Sequence, residues 1–597
     1  MKKILFIASA ILILLSGCEN FLDSELLTEK TTANFPETEK DAQEMVTAIY
    51  AHLLFESPET SSQYYIAQLA GDDCLGGNLS YSNNCATNFL MYSGNLNTFA
   101  GIWDRCYTLI NRANNAINTM ENVKSWSSES ERNRLFGESY FLRAMAYYEL
   151  AQVFGGVPLR TTLESTNLPR ASVDEIYAQI AADLKNAIEM MPAKIYPKGS
   201  DMTGHATKYA AEAMMARVFL FYTGRYEKKA SSPNGTTKEE VISWIDDCVN
   251  NSGHKLVSDQ RNIWAYTNDA TEDNTEGFRY QYVINHNLKW EGNSSDETLF
   301  ANKHNLKSDW TYTWFSNTCA QFYSPSADNY SNKDSYPFGT GWGAGPVSPA
   351  MVNEWKDWAA KQTYTDGYKE DPRLTGSIWS YKALDPNVAG NVLMDCTMDE
   401  GEPEYTVSYR YYEQTGYFQQ KYININSYNE AKSNLSASRC FPGISSQTSQ
   451  QLLQIADLIH IRFCRRSAHA VRAETRRYGS EQGTCPLPLG SGGLLLEAIK
   501  QERRWELAFE SIRWWDILRW SGPSLEEAGD ILNKQTGFNI INAATVVPMV
   551  KFDYKKRLQA TQGYWPIPQD EIDISNGVLE QNPGWDASAQ FSDWNNM

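Results

Sequence analysis

Two carboxylates four residues apart, Glu506 and Glu510 in ERRWELAFE, form the pair in this chain with the most obvious chemistry. Glycoside hydrolysis runs on two such groups, one as acid and the other as base or nucleophile. The same spacing is common on ordinary helices, where carboxylates meet cations on neighbouring turns. Here Glu506 and Glu510, with Arg503, Arg513 and Asp516, fall outside a stripe of Leu494, Ala498, Trp505, Ala508, Phe509, Ile512 and Trp515. That stripe predicts one core helix running from Leu494 with its charges satisfied. Asp72 and Asp73 in GDDCLGG fit a tight turn or a cation site, but two aspartates alone do not make a calcium loop. The ten cysteines show no CxxC and no paired histidine spacing, which excludes a zinc signature. Cys74 and Cys85 are placed to bridge in an oxidising compartment, and scattered buried thiols fit equally. No catalytic residue, metal or cofactor is expected.

The elements that position these residues belong to a chain of 597 residues and net charge −19. An acidic balance argues against nucleic acid, whose phosphates call for stripes of Lys and Arg. Aromatic residues make up 13% of the chain, enough to pack cores and still supply flat apolar faces. The start, MKKILFIASAILILLSGC, joins two lysines to an apolar run too short to span a bilayer. Leu15-Ser16-Gly17-Cys18 resembles the bacterial lipobox, so residues 1–17 read as a lipoprotein signal peptide and Cys18 as the acylated residue. Residues 18–38 then form a lipidated N-terminus and linker.

Residues 39–258 carry helical periodicity. DAQEMVTAIYAHLL aligns Met45, Ile49 and Leu53, and Trp103, Tyr107, Ile110, Ala113 and Ile117 repeat the habit. Gly155, Gly156 and Pro158 close a third helix, and Ser172 with Glu175 predicts a capping box on a fourth. Helix pairs rich in Ala, Tyr and Leu suggest a tetratricopeptide-like array, without a clean 34-residue repeat. Residues 259–447 change texture: Asn, Gly, Ser, Asp and aromatics dominate, and FRYQYVI and YTVSYRYY alternate like short strands. Trp264, Trp290, Trp310, Trp314, Trp342, Trp355, Trp358 and Trp379 all fall here. This reads as a loop-rich region laid on the helical scaffold, where binding residues tend to sit. Residues 448–597 return to helix.

Several stretches together resemble one family. ERRWELAFESIRWWDILRW and YWPIPQDEIDISNGVLEQNPGW are similar to the C-terminal signatures of the SusD/RagB outer-membrane lipoproteins of Bacteroidota. GESYFLRAMAYYELAQVFGGVPL and GHATKYAAEAMMARVFLFYTG resemble its helical blocks, and CENFLD its mature start. The resemblance spans nearly the whole chain. It implies a mainly α fold: a SusD-like, TPR-like helical scaffold with a loop-rich, aromatic-rich region and small β hairpins packed on it. It also implies a cell-surface, lipid-anchored outer-membrane protein without catalytic machinery. Such a protein binds glycan and delivers it to a SusC-like TonB-dependent transporter for import. Sugar rings stack their C–H faces on aromatics and need amide or carboxylate partners for their hydroxyls. Tyr81, Trp310, Trp314 and Trp342, with Asn83 and Asn84, are the candidate ligand contacts. A secreted glycoside hydrolase and a protein-binding adaptor without glycan affinity are the alternatives.

One tract breaks the resemblance. CRRSAHAVRAETRRYG, Cys464–Gly479, is basic and nearly free of large apolar residues. The family pattern expects an apolar helix here, followed by an Asn-x-Val-Arg-x-Arg run. Ile461-Arg462-Phe463 begins that pattern, and Cys464 departs from it. Codons read from their second base permit Ala-Asp-Val-Leu-Leu-Met-Gln-Ser-Glu-Leu from Cys464 onward. From Glu481 to Leu487 they permit Asn-Lys-Val-Arg-Ala-Arg. Residues 464–493 are therefore read as frame-shifted, with one extra nucleotide near codon 464 and a compensating loss before Leu494. On this reading Arg465, Arg466, Arg472, Arg476 and Arg477 are not a functional patch.

Overall fold

The structure is a computed structural model that describes residues 35–53, 63–75, 97, 99–164, 166–227, 235–267, 281–304, 317–324, 343–362, 371–380, 415–423, 427–429, 434–436, 456–462, 493–534, 539–542, 545–548 and 554–585. The N-terminal helices are α1 (Glu39–Leu53), α2 (Gln63–Leu69), α3 (Ala100–Thr119), α4 (Glu129–Phe154), α5 (Val173–Met190), α6 (Lys208–Arg225) and α7 (Lys238–Asn251). From α3 to α7 each helix packs on the next, and α1 packs on α3 and α4. This chain of neighbouring helix pairs is the tetratricopeptide-like scaffold.

Local chemistry sets the helix ends. Ser172 and Glu175 form the expected capping box at α5, and Thr237 with Glu240 forms another at α7. α4 stops at Gly155, whose φ of +74° takes the chain out of the helix. Met45, Ile49 and Leu53 are buried as their spacing requires, as are Trp103, Ile110 and Ala113. α4 is buried along most of its length, so its polar groups need partners inside. Arg143 supplies one set: its guanidinium grips Asp183 of α5 at 2.6 and 2.8 Å and donates to Asn114 of α3 at 2.8 Å.

Beyond the scaffold come α8 (Gln281–Asn285), β1 (Thr298–Asn302), α9 (Cys319–Tyr323), α10 (Pro349–Ala359), α11 (Pro372–Ser377), β2 (Ile378–Ser380), β3 (Tyr417–Gln419), β4 (Ser427–Asn429), β5 (Asn434–Ser436) and β6 (Leu458–Arg462). The chain ends through α12 (Gly493–Glu506), α13 (Arg513–Ser521), α14 (Glu526–Leu532), β7 (Asn539–Asn542), β8 (Thr545–Pro548), α15 (Tyr554–Ala560) and α16 (Gln569–Ile574). The strands form four antiparallel pairs: β1 with β6, β2 with β3, β4 with β5, and β7 with β8. In the first pair Asn302 lies opposite Leu458, so two distant parts of the chain meet.

Two hydrophobic cores result. One joins α1 and α3–α7 to α13–α15 and the C-terminal tail, where Trp565 N–H donates to the Val153 carbonyl at 3.0 Å. The other holds Tyr64, Trp264, Trp355, Trp379, Tyr422 and Trp505. Trp355 stacks on Trp505 with ring centres 4.8 Å apart, and Trp379 stacks on Phe418 at 4.7 Å. Trp264, Trp355 and Trp379 are therefore core residues of the aromatic region, while Trp290 and Trp358 are half-buried at its edge.

Two expectations are corrected. The described part of FRYQYVI is the short helix α8, not a strand. Its backbone closes a helical turn, with the His286 N–H donating to the Tyr282 carbonyl at 3.2 Å. YTVSYRYY lies outside the described residues. The helix expected from Leu494 through Trp515 is broken after Glu506, because Phe509 and Ser511 take positive φ values of 62° and 57°. The break turns Phe509 into the second core and Trp515 into the first.

Glu212 of α6 is fully buried, and neither carboxylate oxygen makes a hydrogen bond. Lys208 approaches it at 3.4 Å but lies nearer Asp247, at 2.6 Å. Burial therefore wins and pushes Glu212 up to about 8. A carboxyl raised on folding removes stability as pH climbs from about 4.5 to about 8. Glu212→Gln is expected to raise the melting temperature at pH 8.5 and to leave it unchanged near pH 4. Paired thermal melts of the two proteins check this.

Candidate ligand face

The carboxylate pair of α12 and the turn after it is engaged by cations. Arg462, at the end of β6, reaches Glu506 at 3.0 Å, Glu510 at 3.0 Å and Glu297 at 2.7 Å. Lys421, 0% exposed, reaches Glu510 at 2.9 Å. Arg373 of α11 bonds Glu502 at 2.9 Å, Glu506 at 3.0 Å and Asp371 at 2.8 Å. Burial alone would raise the Glu506 carboxyl, but the charges of Arg462, Arg373 and Lys421 overcome it and hold the group at about 2. A carboxylate so held stays ionised at neutral pH and does not serve as a general acid there. The network welds β6, α11 and α12 into one unit under the aromatic region. The charges on this helix were expected to find partners within it, and sequence spacing gave no sign of these distant ones.

The second acidic pair is engaged in the same way. Arg504 meets Asp72 at 2.9 Å, Asp73 at 2.8 Å and Glu354 of α10 at 2.6 Å, and Arg513 grips Asp72 at 2.6 and 2.8 Å. Burial opposes ionisation of Asp72, yet Arg504 and Arg513 hold it at about 2. The aspartates of GDDCLGG thus face guanidinium groups. Among the described residues no cluster of His, Cys, Asp and Glu is arranged to hold a metal ion. Cys74, Cys106, Cys248 and Cys319 are buried, Cys74 as a free thiol, and Cys85 lies outside the described residues.

Tyr81, Asn83, Asn84, Trp310, Trp314 and Trp342 lie outside the described residues, as does Cys18. The stubs that lead to these candidates are described, and they converge. Leu75, before residues 76–96, donates its N–H to the Pro346 carbonyl at 2.8 Å, and Cys74 bridges to Val347. Gly343, after residues 325–342, donates to Ser324 on the other side of that segment at 2.9 Å. Asn317, after residues 305–316, donates its amide to the Ala456 carbonyl at 3.0 Å and starts the turn into α9. Gly345 holds the ridge together with φ +65°, and a Cβ there would crowd Leu69, Tyr323 and Gln419 at 3.2–3.3 Å. The structure thus ties one end of each segment bearing a candidate ligand residue to one ridge built from Asp73–Leu75, α9 and Gly343–Ser348.

Comparison with known proteins now bears on this geometry. A family profile described as "Starch-binding associating with outer membrane" matches residues 20–220, and one described as "SusD family" matches residues 466–585. The two cover separate ends of the chain in order, and together more than half of it. The chain belongs to the SusD/RagB family. SusD-like protein P2 of Formosa agariphila is 23% identical over 98% of this chain and 100% of its own length. SusD-like protein P38 of the same organism is 24% identical over 89% of this chain and 94% of its own. Among solved structures, a laminarin binding SusD-like protein superposes with a TM-score of 0.62 at 20% identity, covering 92% of this chain and all of its own. Surface glycan-binding protein A from Bacteroides thetaiotaomicron in complex with laminarihexaose gives 0.60 at 19% identity, over 91% and 99%. The SusD-like fold is thus shared along nearly the full length, and the helical scaffold is the part whose physical basis was described above.

Proposed function

We propose that this SusD-family protein binds a glycan at the outer cell surface and passes it to a TonB-dependent transporter, without cutting it. The observation that carries this reading is the convergence of the segment stubs on one ridge. Segments tethered to one rigid edge are where binding residues tend to sit, and the rings and amides in their sequences suit the faces and hydroxyls of a carbohydrate chain. The ion-paired state of Glu506 and Glu510 favours binding over hydrolysis. Relatives named for laminarin and surface glycan binding make β-glucan oligosaccharides the first ligands to try.

Calorimetric titration of the protein lacking residues 1–18 against laminari-, malto- and xylo-oligosaccharides tests the reading. One class is expected to bind, with no new reducing ends formed. Trp310→Ala, Trp314→Ala and Trp342→Ala are each expected to cost up to about 2 kcal/mol, roughly 30-fold in Kd. No binding across the panel, or affinity indifferent to all three substitutions, sinks it. The lipobox-like Leu15-Ser16-Gly17-Cys18 makes lipid on Cys18 the proposed membrane attachment. Cys18→Ala is expected to move the protein from the outer-membrane fraction to the soluble one, read by fractionation of expressing cells.

A further inference from the structure

Beside the root of the segment that carries Trp310 and Trp314 lies a notch of about 10 Å³, lined in part by Trp264, Trp290, Gly292, Asn293, Lys421 and Asp457. A space of that size holds one water-sized group. The notch adjoins the ridge of the proposed ligand face. Asn317, which follows residues 305–316, donates its amide to the Ala456 carbonyl at 3.0 Å. The next residue, Asp457, donates its N–H to Asn293 Oδ1 at 2.9 Å and pairs with Lys303, on the other side of the same segment.

The polar atoms around this notch are unevenly used. Asp457 Oδ2 accepts from the Ser294 N–H at 2.7 Å and faces the Lys303 ammonium. Its other oxygen, Oδ1, is buried and accepts no hydrogen bond among the described residues. The indole N–H of Trp264 is likewise buried without an acceptor among them. Trp264 is 2% exposed and Asp457 6%. The Lys421 ammonium is held by the Glu506 carbonyl at 3.1 Å and by Glu510 at 2.9 Å. A buried donor and a buried acceptor cost free energy while unmatched. A single hydroxyl matches both, because it accepts from the N–H and donates to the carboxylate. A carbonyl cannot donate and an ammonium cannot accept, so neither completes the pair.

We infer that the notch is a subsite for the primary hydroxyl of a hexose unit, which accepts from Trp264 Nε1–H and donates to Asp457 Oδ1. The inference rests on the glycan-binding reading above and narrows its ligand to hexose chains whose 6-hydroxyl is free. Both protein groups lie below the surface, so only a hydroxyl on a projecting arm reaches them. The exocyclic carbon of a hexopyranose is such an arm. Secondary hydroxyls are fixed to the ring, and a xylopyranose has no arm at all. At the rim, half-buried Trp290 commits its N–H to the Ile263 carbonyl at 3.3 Å, so its contribution is the ring, a stacking surface for the sugar whose arm points inward. Gly292 stands beside it, and a Cβ there would meet nothing within 4 Å, so the approach is open.

The test titrates the full chain, held in detergent, with laminaritetraose, maltotetraose, cellotetraose and xylotetraose by calorimetry. Cellotetraose and xylotetraose share their linkage and differ in the hydroxymethyl arm. At least one hexose tetramer is expected to bind, and xylotetraose to bind about 10- to 100-fold more weakly or not at all. Trp264→Phe keeps an aromatic ring in the core and removes the N–H. It is expected to weaken the hexose tetramer about tenfold. A crystal structure of the complex is expected to place the 6-hydroxyl oxygen within hydrogen-bond distance of Trp264 Nε1 and Asp457 Oδ1, and this measurement decides the matter if the variant does not fold. Three results overturn the inference and leave glycan binding intact: xylotetraose bound as tightly as the hexose tetramers or more so, affinity unchanged in Trp264→Phe, or a water alone in the notch of the complex. Binding of none of the four sugars sinks the glycan reading and this inference with it.

Discussion

Replacing Arg462 with leucine is expected to cost about 3–5 kcal/mol of folding stability at neutral pH. The guanidinium lies 2% exposed among Glu297, Glu506 and Glu510, and it satisfies all three. Its loss leaves Lys421 and Arg373 to neutralise carboxylates that remain out of water. The pH dependence should change sign. In the parent protein Glu506 is held at about 2, below its unfolded value of 4.5. A depressed carboxyl gives stability that is present above about 4.5 and lost as pH falls towards 2. In Arg462→Leu the buried Glu506 loses the largest of the charges that hold its carboxyl down and moves up, so the variant should gain stability as pH falls from 8 to 5. Urea unfolding at pH 5 and pH 8 measures both effects. An unchanged midpoint at pH 8 would show that the network carries no net stability.

Replacing Arg504 with leucine is the other large effect, again about 3–5 kcal/mol. This residue joins Asp72, Asp73 and Glu354, and through them it ties the ridge stub ending at Leu75 to α10 and α12. Arg513 still reaches Asp72 in the variant, so the damage should concentrate at Asp73 and its neighbours. Hydrogen exchange is the suitable measurement. The amides of Leu75 and Ser348, which bond Pro346 and Asp73 at 2.8 and 2.9 Å, should lose protection ahead of the scaffold helices. Because the ridge supports the proposed ligand segments, glycan affinity should fall too, although no candidate contact has been altered. Uniform loss of protection across α3–α7 would instead show that Arg504 acts on the whole fold.

What the sequence revealed about this molecule depended on the range of each interaction. Periodicity and capping act within a few residues, so the stripes Met45–Ile49–Leu53 and Trp103–Ile110–Ala113 and the Ser172–Glu175 box could be read directly. The break between α12 and α13 could not, because Phe509 and Ser511 adopt positive φ without the glycine that normally signals it. Tertiary packing imposes that turn: it sends Phe509 to one core and Trp515 to the other. The partners of Glu506 and Glu510 were equally hidden, since Arg462, Lys421 and Arg373 lie 44 to 133 residues away in sequence. Tryptophan was the most ambiguous signal. Trp264, Trp355 and Trp379 share the composition of the loop-rich region with Trp310, Trp314 and Trp342, yet they are its core. Only burial separates a ring that holds a region together from one that can serve a ligand.

The antiparallel meeting of Asn302 with Leu458 makes the larger part of the aromatic region, residues 303–457, a cassette. Residues 303–457 depart from the scaffold and rejoin it at adjacent points, so a crossover between two related genes at this pair could exchange the whole insert while leaving α3–α7 untouched. The exchange is not free of conditions. An incoming cassette must bring a ring to stack on Trp505, where Trp355 now lies, and cations for Glu506 and Glu510, where Arg373 and Lys421 now lie. Those three docking requirements define which faces this scaffold could wear without refashioning its frame.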